Sequence, residues 1–153
     1  MFLLNDKIKD LKPYDPEMGD TPVHLDANES FLPLPVPILE ELSAALPQVA
    51  FNRYPDPAAR KLCQAFAAYY GVPAENVAAG NGSDELITVL FTGFLQRGEA
   101  FATLEPDFSM YAFNGYLQEA RHVPIPKGEG YAIDVDKTIQ VCQQEGVKLL
   151  VFS

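Results

Sequence analysis

The chain has 153 residues, 48% hydrophobic and 21% charged, which is a one-domain length with enough apolar content to bury a core. Its formal net charge of −10 argues against nucleic acid or an anionic membrane as a partner, although a local phosphate pocket remains compatible with it. Cys63 and Cys142 are far apart and lack CxxC spacing, so neither a disulfide framework nor a zinc site is expected, and a reducing, cytoplasmic compartment fits.

In chain order, residues 2–12 carry Leu4, Ile8 and Leu11 at helical spacing and are ended by Pro13. Residues 13–24 read as an extended loop, Val23-His24-Leu25 as a short strand, and Asp26-Ala27-Asn28-Glu29-Ser30 as a polar knot between apolar flanks. A helix begins near Pro37, where a proline is tolerated because that N–H is unpaired anyway; Ile38, Leu39, Leu42, Ala45 and Leu46 form its apolar face. After an irregular stretch from Pro47 to Pro57, a helix over about 58–70 is expected to bury Leu62, Phe66 and Tyr69, with Gly71 as its stop.

Val77-Ala78-Ala79 reads as a strand, Gly80 to Glu85 as a glycine turn and 83–96 as a helix with Leu86, Ile87, Leu90, Phe91, Phe94 and Leu95 at helical spacing. Strand 101–104, helix 108–119, a strand 122–125 that Pro124 places at an edge or gives an irregular ladder, and helix 134–145 with Val135, Ile139, Val141 and Cys142 inward follow. The apolar run 147–153 reads as a strand buried on both faces. This alternation predicts an α/β fold with a mainly parallel sheet, preceded by an irregular and helical segment. Ligands of such sheets gather beyond the carboxyl ends of the strands, which brings Gly82, Ser83, Asp84 and Phe108 into one neighbourhood. A buried strand seldom closes a domain at its last residue, so the chain reads as a truncated piece.

The turn Gly80-Asn81-Gly82-Ser83-Asp84-Glu85 is the main candidate site. Glycines at 80 and 82 free the backbone and put no side chain between it and a ligand. The first N–H groups of the helix lack intrahelical partners at the positive end of the dipole, which makes an anion cup suited to phosphate. Taken locally, the same residues also read as an ordinary cap, with Asn81 or Ser83 as the capping side chain, and two acids beside the cup disfavour an anion unless they turn away.

Four motifs in order resemble the N-terminal part of the histidinol-phosphate aminotransferase family: Leu25-Asp26-Ala27-Asn28-Glu29, Arg53-Tyr54-Pro55-Asp56-Pro57, Gly80-Asn81-Gly82-Ser83-Asp84-Glu85, and Glu105-Pro106-Asp107-Phe108-Ser109-Met110-Tyr111. The resemblance covers essentially the whole chain. It implies a class I/II aminotransferase with part of the fold-type-I large domain and pyridoxal 5′-phosphate (PLP) as cofactor. Residues 1–57 would be an arm on the dimer and substrate side, and 58–153 an incomplete cofactor-binding domain.

The same resemblance implies that the N–H groups of Gly82, Ser83 and Asp84 hold the cofactor phosphate and that Phe108, where the family often has Tyr, stacks on the pyridine ring. Tyr54 would reach the phosphate of the partner subunit in a homodimer, and Tyr14 and Asn28 would lie on the substrate side. Phe108 also reads as a core residue at a helix start, Tyr14 as a loop anchor and Asn28 as a turn residue. The sequence departs from the family after Glu29, where Ser30-Phe31-Leu32-Pro33 replaces the usual Asn-Pro-hydrophobic-Gly.

The family's Schiff-base lysine is expected beyond Ser153, since Lys61, Lys127, Lys137 and Lys148 match no such motif; the chain alone is expected to be inactive and to bind PLP weakly. The implied reaction of the complete enzyme is a ping-pong exchange of an amino group between a phosphorylated amino alcohol or amino acid and 2-oxoglutarate. The alternatives are an aromatic aminotransferase or a threonine-phosphate decarboxylase on the same scaffold, a non-enzymatic phosphate-ligand-binding α/β module, or a structural or partner-binding fragment using the Tyr54 surface.

Overall fold

The computed structural model describes residues 3, 5–9 and 29–153. Its elements are α1 (Val36–Ala45), α2 (Arg60–Tyr70), α3 (Ser83–Phe94), β1 (Ala100–Glu105), α4 (Ser109–Leu117), β2 (Arg121–Pro126), α5 (Val135–Gln144) and β3 (Val147–Leu150). Short 3-10 turns cover Asp6–Ile8, Leu46–Gln48, Ala74–Asn76 and Glu129–Tyr131. The chain divides into two compact units, one of residues 11–60 and one of residues 1–10 with 61–153.

In the smaller unit, α1 starts with proline in its first turn and presents Ile38, Leu39 and Leu42 to solvent. Asp56 shapes the end of this unit. Its carboxylate accepts the N–H groups of Ala58 and Arg60 at 3.2 and 3.0 Å and pairs with the Arg60 guanidinium at 2.5 Å. Those bonds to Arg60 and Ala58 hold the Asp56 carboxyl below the usual carboxylate range.

The larger unit is built on a three-stranded sheet of order β2-β1-β3, parallel throughout. Alternation along β1 separates two cores. Ala100, Ala102 and Leu104 face α5 with Val123 and Ile125, joined by Val141, Cys142 and Val147. Phe101 faces the other way, into Ile87, Phe91 and Leu95 of the α3 segment, with Met110 and Tyr111 of α4 and with Leu149. A register shift between Ala100 and Phe101 on the β3 side lets Val147 join the first core and Leu149 the second.

Phe101 is fully buried. It meets Phe91 edge-on at 5.0 Å and stacks on the His122 ring at 4.7 Å and 7°. Above it lies Gly115, where a Cβ would fall 2.1 Å from ring atoms Cε1 and Cζ. The buried Thr103 hydroxyl donates to Glu105 Oε1 at 2.7 Å and accepts from His122 Nε2, also at 2.7 Å, so this face closes with its polar groups satisfied. On the neighbouring loop, Lys148 Nζ bonds both oxygens of Glu99 at 2.8 and 2.9 Å and so lowers that carboxyl's pKa, assisted by the Gln96 N–H.

The expected α/β architecture, the helix at Pro37, the Gly71 stop (φ +69°) and the edge position of Pro124 are all present. Several local expectations are corrected. The first twelve residues show only the turn Asp6–Ile8 among those described. Val77–Ala79 is not a strand; Val77 is extended, but the segment has no ladder partner among the described residues. α2 buries Cys63 and Ala67 and leaves Leu62, Phe66 and Tyr69 exposed, because small residues form the face that packs inward. α5 turns Thr138, Val141 and Cys142 inward while Val135 and Ile139 stay exposed. Among the described residues β3 is an edge strand, half-buried at best, and not buried on both faces. The strand expected at Val23–Leu25 lies outside the described residues.

The Gly115–Phe101 contact yields a prediction. Gly115→Ala must displace either the ring or α4, and overpacking of this kind costs about 2–3 kcal/mol. Urea unfolding of the variant should show a correspondingly lower midpoint; an unchanged midpoint would mean that the two elements are not closely packed.

Candidate functional site

The helices α3 and α4 set the geometry of the candidate site. Each precedes a parallel strand, α3 leading into β1 and α4 into β2, so both run back from the carboxyl end of the sheet. Two bonds fix their relative height. The Thr88 hydroxyl reaches Asn114 Oδ1 at 2.9 Å, and Gln118 Nε2 donates to the Leu95 carbonyl at 2.9 Å. Thr88 is five residues beyond Ser83, and Asn114 five beyond Ser109. The N-termini of α3 and α4 are therefore level, about 8–10 Å apart at ordinary helix packing distance. This brings Gly82, Ser83, Asp84 and Phe108 to one end of the larger unit.

At the α3 terminus the N-cap is Gly82, at φ +84° and ψ 169°, with no side-chain cap; neither Asn81 nor Ser83 acts as one. That backbone angle is the reason for glycine here, since a Cβ at Gly82 would meet open space. The N–H groups of Gly82, Ser83 and Asp84 have no acceptor among the described residues and are exposed. Glu85 turns back and accepts the Asn81 N–H at 2.5 Å. Its carboxylate is thus turned onto the loop before the cup. Gly80 leaves room for that fold-back: a Cβ there would lie 2.9 Å from Glu85 Oε2 and from Leu86 Cδ2, so both side chains would have to shift. The donor set is three backbone N–H groups and a free Ser83 hydroxyl at a helix N-terminus, and its chemistry fits a phosphate.

Phe108 is the N-cap residue of α4, 44% exposed, with its ring edge-on to Tyr111 at 5.7 Å. A flat aromatic face left half open beside an anion cup fits a ring-bearing phosphate ligand. Tyr54 is fully exposed in the smaller unit. Tyr14 and Asn28 lie outside the described residues.

Residue-by-residue sequence reading missed three participants: Glu85 as the loop's internal acceptor, Asn114 as the buried polar link between the helices, and Asp107. The first was legible as an acid at the third helical position, which commonly reaches back toward the cap. No pattern announces the other two. Among the described residues no helix is long and apolar enough to cross a membrane, and no cluster of His, Cys, Asp or Glu could hold a metal.

Comparison with known proteins finds similar folds and sequences. No family model matches the chain. Among solved structures, the histidinol-phosphate aminotransferase from Sinorhizobium meliloti in complex with pyridoxal-5′-phosphate superposes over 81% of this chain and 33% of its own, with a TM-score of 0.73 at 22% identity. Apo-BacF from Bacillus subtilis superposes over 97% of this chain and 50% of its own, again with a TM-score of 0.73, at 20% identity. The chain shares its α/β fold with part of each of these proteins.

By sequence, the chain is 38% identical over 151 residues to the histidinol-phosphate aminotransferase of Clostridium novyi and 33% identical over 148 residues to that of Thermoanaerobacter sp. strain X514. The first match extends over 99% of this chain and the second over 97%. The chain spans about two fifths of the length of these relatives, 42% in both cases.

Removing the link between α3 and α4 tests the alignment of their ends. Thr88→Val leaves the buried Asn114 oxygen without its donor, which should cost about 1–3 kcal/mol in urea unfolding. A variant as stable as the parent would show that the two helices are held at this height by packing alone.

Proposed function

We propose that the protein carrying this chain is a PLP-dependent aminotransferase acting on histidinol phosphate. Its amino group is exchanged with 2-oxoglutarate, and both substrates are small molecules. The observation that carries this reading is the similarity to curated histidinol-phosphate aminotransferases over 99% of the chain. Further support comes from the free donors at the α3 terminus, level with the half-open Phe108 ring.

In this reading residues 1–57 form the arm on the dimer and substrate side, and 58–153 the cofactor-binding part. The N–H groups of Gly82, Ser83 and Asp84 hold the cofactor's phosphate. The Phe108 ring covers one face of the pyridine and keeps water from it. Tyr54 extends from one subunit of a homodimer to the phosphate held by the other, so each site takes residues from two chains. Tyr14 and Asn28 line the substrate side. The bound cofactor supplies an electron sink for charge developing at the amino-bearing carbon. The protein works in the cytoplasm, with neither nucleic acid nor membrane as a partner.

None of Lys61, Lys127, Lys137 and Lys148 takes the role of the lysine that anchors the cofactor covalently. Lys148 is paired with Glu99, and Lys127 Nζ is bonded to the Pro106 carbonyl at 2.9 Å. That lysine belongs to the part of the enzyme outside these 153 residues, and the chain by itself is inactive.

The full-length protein should therefore transaminate histidinol phosphate with 2-oxoglutarate, while the purified 153-residue chain should not. Gly82→Val, which disfavours the φ +84° backbone of the cup, should weaken PLP binding by about tenfold or more. Turnover by the 153-residue chain alone, or PLP affinity untouched by Gly82→Val, would overturn the assignment of these roles; a full-length protein indifferent to histidinol phosphate but active on another amino donor would overturn only the substrate.

A further inference from the structure

Phe108 is not held where it is by burial. Its ring is 44% exposed, with Tyr111 as its aromatic neighbour, and α4 begins there without a side-chain cap. A half-exposed side chain on a loop has rotational freedom unless its backbone is restrained. The restraint visible here is Asp107. Its Oδ1 accepts the Phe108 N–H at 2.8 Å. The same carboxylate accepts the Ser153 N–H at 3.2 Å to Oδ1 and 3.4 Å to Oδ2, and the Ser153 hydroxyl at 2.7 Å. Asp107 and Ser153 are 46 residues apart. One ionised acceptor therefore ties the loop after β1 to the segment after β3 through charge-assisted hydrogen bonds. Lys127, following β2, reinforces the same junction: its Nζ donates to the Pro106 carbonyl at 2.9 Å and to the Ser153 carbonyl at 3.3 Å.

We propose that Asp107 is a positioning residue for Phe108: its carboxylate clamps the β1–α4 loop to the segment that follows β3, and so fixes the aromatic face presented beside the α3 anion cup. This rests on the reading of Phe108 as the residue that covers the cofactor ring. A carboxylate placed one residue earlier than the N-cap is badly placed to cap α4, and it makes no such bond. Its bonds run instead to Phe108 itself and across the sheet end, as a positioning role requires.

The test uses the natural full-length protein with Asp107→Ala and Asp107→Asn, read two ways. Hydrogen exchange of the cofactor-free protein, resolved to peptides covering 106–111 and 151–153, should accelerate about tenfold or more in Asp107→Ala relative to peptides from β1. Asp107→Asn, which keeps one acceptor oxygen, should fall between. In the PLP-loaded protein, the circular dichroism induced in the cofactor's absorption band should weaken in Asp107→Ala and recover in part in Asp107→Asn. Unchanged exchange in both peptides would overturn the clamp. Faster exchange with an unaltered induced signal would reduce Asp107 to a structural residue and overturn the positioning role. A wild-type protein with no induced signal at all would instead sink the cofactor reading of Phe108, while the exchange result would still decide whether the clamp exists.

Discussion

The structure depends first on how closely α4 can approach β1. Gly115 lets the helix backbone settle on the face of Phe101, where even a methyl group would have no room. Phe101 in turn is sandwiched by Phe91 from α3 and the flat ring of His122 from β2. One buried aromatic residue thus touches both neighbouring helices and the adjacent strand. Once this contact is made, the height of α4 relative to α3 is left to polar bonds, and the Thr88–Asn114 and Gln118–Leu95 pairs supply them. Because hydrogen bonds are directional and packing is not, it is these pairs that define which turns of the two helices stand side by side. The level N-termini that result are a consequence of the core rather than of the residues at the site.

The acidic character of the cup is the second physical problem. Two acids follow Ser83, and the whole chain carries a net charge of −10. A helix dipole contributes about half a positive charge at its N-terminus, which is easily outweighed by a nearby carboxylate. Folding Glu85 back onto Asn81 N–H, over the surface left bare by Gly80, turns one of those carboxylates into an internal partner of the loop. The two glycines therefore serve different ends. Gly82 provides a backbone angle, whereas Gly80 provides space.

Much of this was legible in the sequence, and the parts that were not share a cause. Period-two and period-3.6 patterns found α3, β1, α4, β2 and α5 within a few residues, because each has one face against a core and its pattern follows from that. The glycine turn and the aromatic after Asp107 were recognisable because backbone conformation and ring chemistry are local properties. The misreadings concern faces. In α2 the large residues Leu62, Phe66 and Tyr69 outweigh Cys63 and Ala67 in any hydrophobic pattern, yet close packing selected the small ones. Val147 to Ser153 has the composition of a central strand, but burial is set by how many neighbours a strand has, and β3 has β1 alone on its ladder here. Asn114 and Asp107 were invisible for a related reason. Each acts through a partner 26 or 46 residues away, and no local pattern encodes such a pairing.

A cup made of backbone N–H groups has a further consequence for how function is written in a sequence. No side chain of Gly82 or Asp84 is needed for the donors to exist, so substitutions there act by changing φ or by adding charge, not by removing a ligand-binding group. In its proposed role Phe108, by contrast, contributes only its side chain, and what its backbone needs is restraint. The demands therefore divide between a segment that must keep a rare conformation and a segment that must keep a place. Glycine meets the first within the turn itself. The second is met from a distance, by a carboxylate at Asp107 and an ammonium at Lys127 gathered on the segment that follows β3. That is why the glycine turn stands out when the sequence is read, whereas the residues that steady Phe108 emerge only once the strands are laid side by side.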